Sequence, residues 1–434
     1  MRNLPAARTR PQRRIVVATS ALVLAAGLTA CGDDDPAPQE PGAASLTEID
    51  QPTPQSPTDT EAASDGGTTE ATGEATDEES ADDTAQEAEA QEPSELPEPA
   101  EVAVFDAPWA MTFLPDGQLL VTEKGGHLQL LDPESGEMTL VEGAPEVVDA
   151  GQGGLGDVVI APDFDSTRAV YLSWVESGTG GTGAVVGTGQ LSEDGTSLDG
   201  LEVIWRQEPK TSGNGHFSHK MAFSPDGQHL FVTSGDRQAL DPAQDRSNTL
   251  GSIVRLNPDG TPAEGNPFAD EGGVTGEIWS YGHRNPLGIA FDAEGNLWST
   301  EMGPQHGDEL NLIVEGANYG WPVASMGEHY SGENIPDHAD DDGFEPPKEH
   351  WIPAISPANL MIYDGAMFPD WQGSAFVGGL SGQTLVRVAL EGTSAEEVER
   401  WDLGERIREV EQGPNGSIWL LEDGDGARLL RFSR

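Results

Sequence analysis

The sequence predicts an all-β fold, a six-bladed β-propeller, on three observations. A single hairpin pattern recurs along the chain. Six hairpin centres fall between residue 101 and the C-terminus, one per roughly 56 residues, within the loose spacing of propeller blades. Long stretches of helical periodicity are nearly absent, so sheets must supply the core. A pair of β-sandwiches is the alternative, but it would not explain a recurrent hairpin of one type.

The pattern is apolar-x-Phe-x-Pro-Asp-Gly-x-Leu-apolar-apolar-Thr. It appears first at Met111 to Thr122 and again, with the same Pro-Asp-Gly turn, at Met221 to Thr233. Ile289 to Thr300 turns on Ala-Glu-Gly, and Val410 to Leu420 on Pro-Asn-Gly. Weaker copies run from Val158 to Leu172 and from Leu360 to Val377. In each, two alternating apolar runs flank a turn, which is the signature of a hairpin. The propeller is therefore assigned to residues 101–434.

Two segments precede it. Residues 1–30 read as a secretory leader: Arg2, Arg8, Arg10, Arg13 and Arg14 come before an apolar run, Ile15 to Ala30. That run is too short for a confident spanning helix. The leader ends Leu28-Thr29-Ala30-Cys31, which resembles the bacterial lipoprotein signal and implies lipidation of Cys31. The expected location is the outer face of the bacterial cytoplasmic membrane, held by the lipid anchor only. Residues 31–100 form the linker. From Gly32 to Ala100 there are 21 acidic residues, no lysine or arginine and no aromatic residue. Such a composition cannot bury enough apolar surface to offset its ordering entropy, so an extended, self-repelling tether is expected.

The whole chain carries a formal net charge of -54. Removing the five leader arginines and the 21 linker acids leaves 55 acidic and 17 basic residues in the propeller, a net of -38. This balance argues against nucleic acid or a bare anionic membrane surface as a partner. Cys31 is the one cysteine, so no internal disulfide can form.

Four clusters carry candidate chemistry, each beside a hairpin. The first is Gly151-Gln152-Gly153-Gly154-Leu155-Gly156-Asp157, whose glycines let backbone approach a ligand closely and whose Gln152 can donate and accept. As a bland alternative it is a flexible turn. The second pairs His216 with Asp236 across one hairpin, a candidate general base with an orienting carboxylate. The third is His283-Arg284-Asn285-Pro286, with a planar guanidinium fork suited to carboxylates. Gly303-Pro304 belongs with it, since exposed carbonyls there are hard oxygen ligands suited to Ca²⁺. Glu309 is either a further calcium ligand or a loop anchor. The fourth is Arg406-Ile407-Arg408, whose alternation puts both guanidinium groups on one face. They either pair with Glu405 and Glu409 or form an anion clamp.

Together the His-Arg-Asn-Pro, Glu-Met-Gly-Pro…Asp-Glu-Leu-Asn-Leu-Ile and Asn-Tyr-Gly-Trp-Pro segments resemble the soluble PQQ-dependent aldose (glucose/sorbosone) dehydrogenase family. The resemblance spans nearly all of residues 101–434. It implies a six-bladed propeller in which Gln152, Arg284, Asn285, Arg406 and Arg408 hold the tricarboxylated quinone. It further implies that the Gly303 and Pro304 carbonyls hold Ca²⁺ and that His216, oriented by Asp236, is the base. The implied reaction oxidises an aldose at C1 to a lactone, and the quinol passes its electrons to an external acceptor. The chain departs from the pattern in places: Ser381 stands where some members place a lysine on the quinone, and His219-Lys220 where a small residue and arginine are usual. Gly215 stands where an acid often precedes the base. The Tyr-x-Asp calcium pattern of the dimeric glucose enzymes is not evident after Trp321, so their second calcium site and dimer are not predicted. Two other readings compete. A non-catalytic surface propeller binding glycan or protein has no reason to keep His216, Arg284, Arg406 and Arg408 together. A metal-dependent lactonase needs several carboxylates facing the channel.

Overall fold

A computed structural model describes residues 95–434; the leader, Cys31 and the linker up to residue 94 lie outside the described residues. Six four-stranded antiparallel sheets make up the fold. The first five are each built from four consecutive strands, and the sixth takes its fourth strand from Ala100–Asp106, the first strand of the described residues. The innermost strands are Pro108–Phe113, Leu155–Ile160, Ser218–Phe223, Pro286–Phe291, Met361–Ile362 and Ile407–Gln412, and we number the blades 1 to 6 in that order. Each inner strand touches that of the next blade, and the last touches the first. The ring is thus a closed six-bladed propeller.

Every predicted hairpin is the inner hairpin of one blade. Met111 pairs with Val121, Met221 with Val232, Ile289 with Ser299 and Val410 with Leu420. The two weaker copies pair Val158 with Leu172 and Met361 with Phe376. Second strands such as Leu119–Glu123 and Ile418–Glu422 are buried along their whole length, because they lie between strands of their own blade and between neighbouring blades. The outermost strand of blade 5, Ser394–Asp402, alternates exposed and half-buried residues as a solvent-facing strand must. The pattern did not include the closing element. Ala100–Asp106 pairs antiparallel with Asp425–Phe432, so the start of the domain completes blade 6 and shields an edge.

The core lies between blades. Leu120, Leu128, Leu172 and Val185 are fully buried where blades 1 and 2 meet, and Phe376, Leu385 and Leu420 where blades 5 and 6 meet. Truncating any such leucine to alanine should cost about 2–5 kcal/mol through lost burial plus the cavity left behind. Five of the six inner hairpins carry a register shift at the end where the inner strand begins. Bulges there turn side chains away from the regular pleat, and they place irregular backbone around one mouth of the channel.

Candidate active site

The turn entering each inner strand and the turn leaving each second strand lie at the same mouth. Gln152 precedes the inner strand of blade 2, and His216 that of blade 3. Asp236 follows blade 3's second strand, Leu230–Ser234. Arg284 and Asn285 lead into blade 4, and Met302 to Pro304 leave its second strand, Leu297–Glu301. Arg406 opens blade 6. Residues scattered over 250 positions therefore share one face because the hairpin repeats.

The strongest arrangement is centred on His216. Its Nδ1 lies 2.7 Å from Asp236 Oδ1, and its backbone N–H donates to Gln152 Oε1 at 2.7 Å. The Asp236 carboxylate is fully buried and accepts two further bonds, from the Gln238 N–H at 2.8 Å and the Trp321 indole N–H at 2.7 Å. Burial opposes ionisation of Asp236, but His216 and these donors outweigh it and hold the carboxyl below its ordinary range. An ionised carboxylate only accepts, so His216 Nδ1 carries the proton and Nε2 keeps its lone pair. Burial, followed by the Arg284 charge, pushes His216 below the ordinary imidazole value despite Asp236. The ring is therefore neutral near pH 7 and able to take a proton.

The local backbone is strained to achieve this. His216, Ser218, His219, Arg237 and Gln238 all have φ between 49° and 61°. Non-glycine residues rarely adopt such conformations, and they persist where the surrounding structure enforces them. Gly235 is required beneath: a Cβ there would lie 2.1 Å from the His216 carbonyl oxygen. The first cluster's glycines meet packed protein rather than open space: Gly151, Gly153 and Gly154 lie against backbone, and Gly156 against the His219 ring. Gly151 would clash with Asn214 and Gly154 with Lys124, so they let neighbouring loops approach rather than a ligand. Gln152 alone of that cluster reaches the base.

Arg284 is buried beside it. Its backbone carbonyl accepts from the Asp236 N–H at 2.8 Å, its N–H donates to Glu301 Oε2 at 2.8 Å, and its Nη1 donates to the Met302 carbonyl at 2.9 Å. Its Nε is buried without a partner, a donor kept free for something else. Asn285 Oδ1 accepts from Ser218 Oγ at 3.0 Å, tying blade 4 to blade 3. Gly303 and Pro304 are buried rather than exposed. With Arg284, Glu301 and Glu309 they line a cavity of about 10 Å³, room for a single water or cation. Asp308 fixes this loop by accepting from the Gly303 N–H at 2.9 Å and from the Ile355 and Ser356 N–H groups of the next blade. Glu309 faces Glu301 across the register, and burial, then that neighbouring carboxylate, raise its pKa well above the ordinary range. Among the described residues, no three His, Cys, Asp or Glu side chains converge to hold a metal.

Arg406 and Arg408 do not pair with Glu405 and Glu409. Both bind Asp423, through Arg406 Nε at 2.8 Å and Arg408 Nε and Nη2 at 2.8 and 2.6 Å. One carboxylate between two guanidinium groups leaves this trio with one positive charge in excess. Neither arginine makes a hydrogen bond to the His216 or Arg284 groups. Glu409 instead turns into the channel and accepts from Lys220, which also donates to Asp157 Oδ1 at 3.1 Å. This ion cluster joins blades 2, 3 and 6. Ser381, exposed, shares a hydrogen bond with Ser356 at 2.7 Å.

Comparisons with known proteins agree with this architecture. The model of the Glucose / Sorbosone dehydrogenase family matches residues 105–431. Aldose sugar dehydrogenase YliI of Escherichia coli (strain K12) is 39% identical over 336 residues, 76% of this chain and 90% of that protein. The crystal structure of the soluble aldose sugar dehydrogenase from Escherichia coli in the apo-form superposes with a TM-score of 0.74 at 38% identity, covering 77% of this chain and 99% of that one. The PQQ-bound form of aldose sugar dehydrogenase from Streptomyces coelicolor gives 0.65 at 30% identity, covering 77% and 96%.

Proposed function

The chain belongs to the glucose/sorbosone dehydrogenase family and is a PQQ-dependent sugar dehydrogenase, and we propose that it oxidises the anomeric hydroxyl of an aldose to the lactone with His216 as general base. The observation that carries this reading is the buried His216–Asp236 pair, neutral on its free nitrogen, beside a buried arginine with an unpartnered donor.

Each residue has a task. Asp236 fixes the His216 tautomer and stabilises the imidazolium that forms when Nε2 takes the hydroxyl proton. Gln152 locks the base's backbone. Arg284 and Asn285 on one side, and Arg406 and Arg408 on the other, offer cationic and amide donors to the carboxylates of the cofactor. The free Arg284 Nε and the surplus charge on Asp423's two partners fit an anionic ligand. Gly303, Pro304 and Glu309 would hold Ca²⁺; with too few side-chain ligands in the cavity, backbone carbonyls and cofactor atoms would complete its shell. PQQ, when bound, would supply the hydride acceptor, and Ca²⁺ would supply Lewis-acid polarisation of a cofactor carbonyl. The burial of His216, Asp236, Arg284 and Asn285 excludes water and strengthens the charge contacts around the reacting atoms, whereas Arg406 stays exposed at the rim.

Electrons then leave to an external acceptor. We place the enzyme outside the cytoplasmic membrane, tethered through a lipid on Cys31, on the strength of the leader's basic, apolar and Leu-Thr-Ala-Cys segments. His216→Ala tests the central assignment. Its turnover should fall by about two to four orders of magnitude, the usual worth of a positioned base, while a PQQ titration matches the parent. Unchanged turnover would remove His216 from the reaction.

A further inference from the structure

We infer that Trp321 is a positioning residue for the base, tying the carboxylate that orients His216 to the arginine beside it; the inference deepens the sugar-oxidation reading and rests on it.

Trp321 is buried and lies 85 residues beyond Asp236, in the loop between Asp308–Ile313 and Glu349–Trp351. Its indole N–H donates to Asp236 Oδ2 at 2.7 Å, while Oδ1 accepts from His216 Nδ1 and the Gln238 N–H. Both oxygens of the carboxylate are thereby held by donors from two different blades, and its plane cannot turn. Without the indole donor, Oδ2 would be a buried, unsatisfied charged oxygen. The group would then rotate or shift to recover a partner, and the His216 bond would lose its alignment. The indole is itself fixed: the Trp321 backbone N–H donates to the Gly282 carbonyl at 2.9 Å, and its carbonyl accepts from Gln244 Nε2 at 2.7 Å.

The ring face has a second neighbour. The Arg284 guanidinium sits 5.3 Å from the indole and 5.9 Å from the ring of Tyr330, which is 68% exposed at the mouth. One side chain thus meets the base's orienting acid through its edge and the cofactor-facing arginine through its face. The two contacts separate by substitution. Trp321→Phe keeps an aromatic face under Arg284 and removes the N–H donor, whereas Trp321→Leu removes both.

The test uses the full-length chain with PQQ and Ca²⁺. Trp321→Phe should lower kcat about 10- to 100-fold, as loss of a hydrogen bond to a charged group does, with KM for the aldose and the PQQ titration within about twofold of the parent. Trp321→Leu should also weaken PQQ. In an Asp236→Asn background, Trp321→Phe should add less than about twofold, because the partner it acts through is already altered. Replacing Trp321 by its benzothiophene isostere, which lacks only the N–H, repeats the test should Trp321→Phe fail to fold. Unchanged kcat, or losses that multiply in the double variant, would overturn the proposal. A proton NMR arm needs no sugar: the His216 Nδ1–H resonance of the parent should be lost or shifted in Trp321→Phe. An unaltered resonance overturns the positioning role. A changed resonance in a protein that oxidises no aldose keeps that role and removes the sugar reading instead.

Discussion

Blade 3 carries two buried ionic clusters four residues apart, and they are put to opposite uses. At the mouth, His216 meets Asp236 between two turns of the same blade, with the backbone forced into left-handed conformations to hold it. Inside the channel, Lys220 reaches Asp157 in blade 2 and Glu409 in blade 6. The first cluster leaves one nitrogen unengaged and lies beside an arginine with a spare donor. The second joins three blades around their common axis, with Lys220 over the Trp109 ring at 4.9 Å. The reactive imidazole meets its orienting acid within its own blade and is left one free atom; the structural charge finds both of its acids in other blades of the ring.

That contrast can be broken at either end. After the loss of turnover in His216→Ala, the next largest effect belongs to the channel. Lys220→Met strands two carboxylates in the interior, and breaking a buried pair in this way costs about 3–5 kcal/mol. Denaturant titration should show that loss as a lower midpoint, and an unchanged midpoint would contradict the role assigned to the cluster. Arg408→Ala lies between the two regions in kind. PQQ affinity should fall by about 1.5–3 kcal/mol, the worth of a charged hydrogen bond, while the ranking of sugars stays as in the parent. Equal titrations would take Arg408 out of the site.

The last effect is a pH dependence. Burial, then the Glu409 charge, lifts the half-buried Glu411 to about 8. Its folded pKa thus exceeds its unfolded value near 4.5, so its contribution to stability is present at low pH and is lost as pH rises through about 8. Glu409, Asp157 and Lys220 are the charged groups acting on it. Glu411→Gln should match the parent's melting temperature near pH 4 and exceed it at pH 8; a difference independent of pH would contradict this.

The fold was legible because each blade repeats one local signal, an apolar pair of strands around a turn, with glycine at that turn in most copies. Ala100–Asp106 escaped that signal because its partner strand, Asp425–Phe432, lies at the other end of the chain. The site follows the same rule. His216 and Asp236 flank one hairpin, so the sequence itself brings them together. Trp321 meets Asp236 across 85 residues, and Lys220 meets Glu409 across 189, with no local spacing to announce either contact. Of the two readings open for Arg406 and Arg408, pairing with Glu405 and Glu409 does not occur, for a related reason. Sequence neighbours Glu405 and Glu409 were the nearest acids, but Asp423, at the turn following the paired second strand, faces both guanidinium groups.

The most direct measurement of the central claim is dye reduction by the cofactor-free, full-length chain against a panel of aldoses, with PQQ and Ca²⁺ added separately and together. The account predicts turnover of at least one aldose only when both are present. Turnover without PQQ, or none with any aldose although PQQ binds, would contradict it.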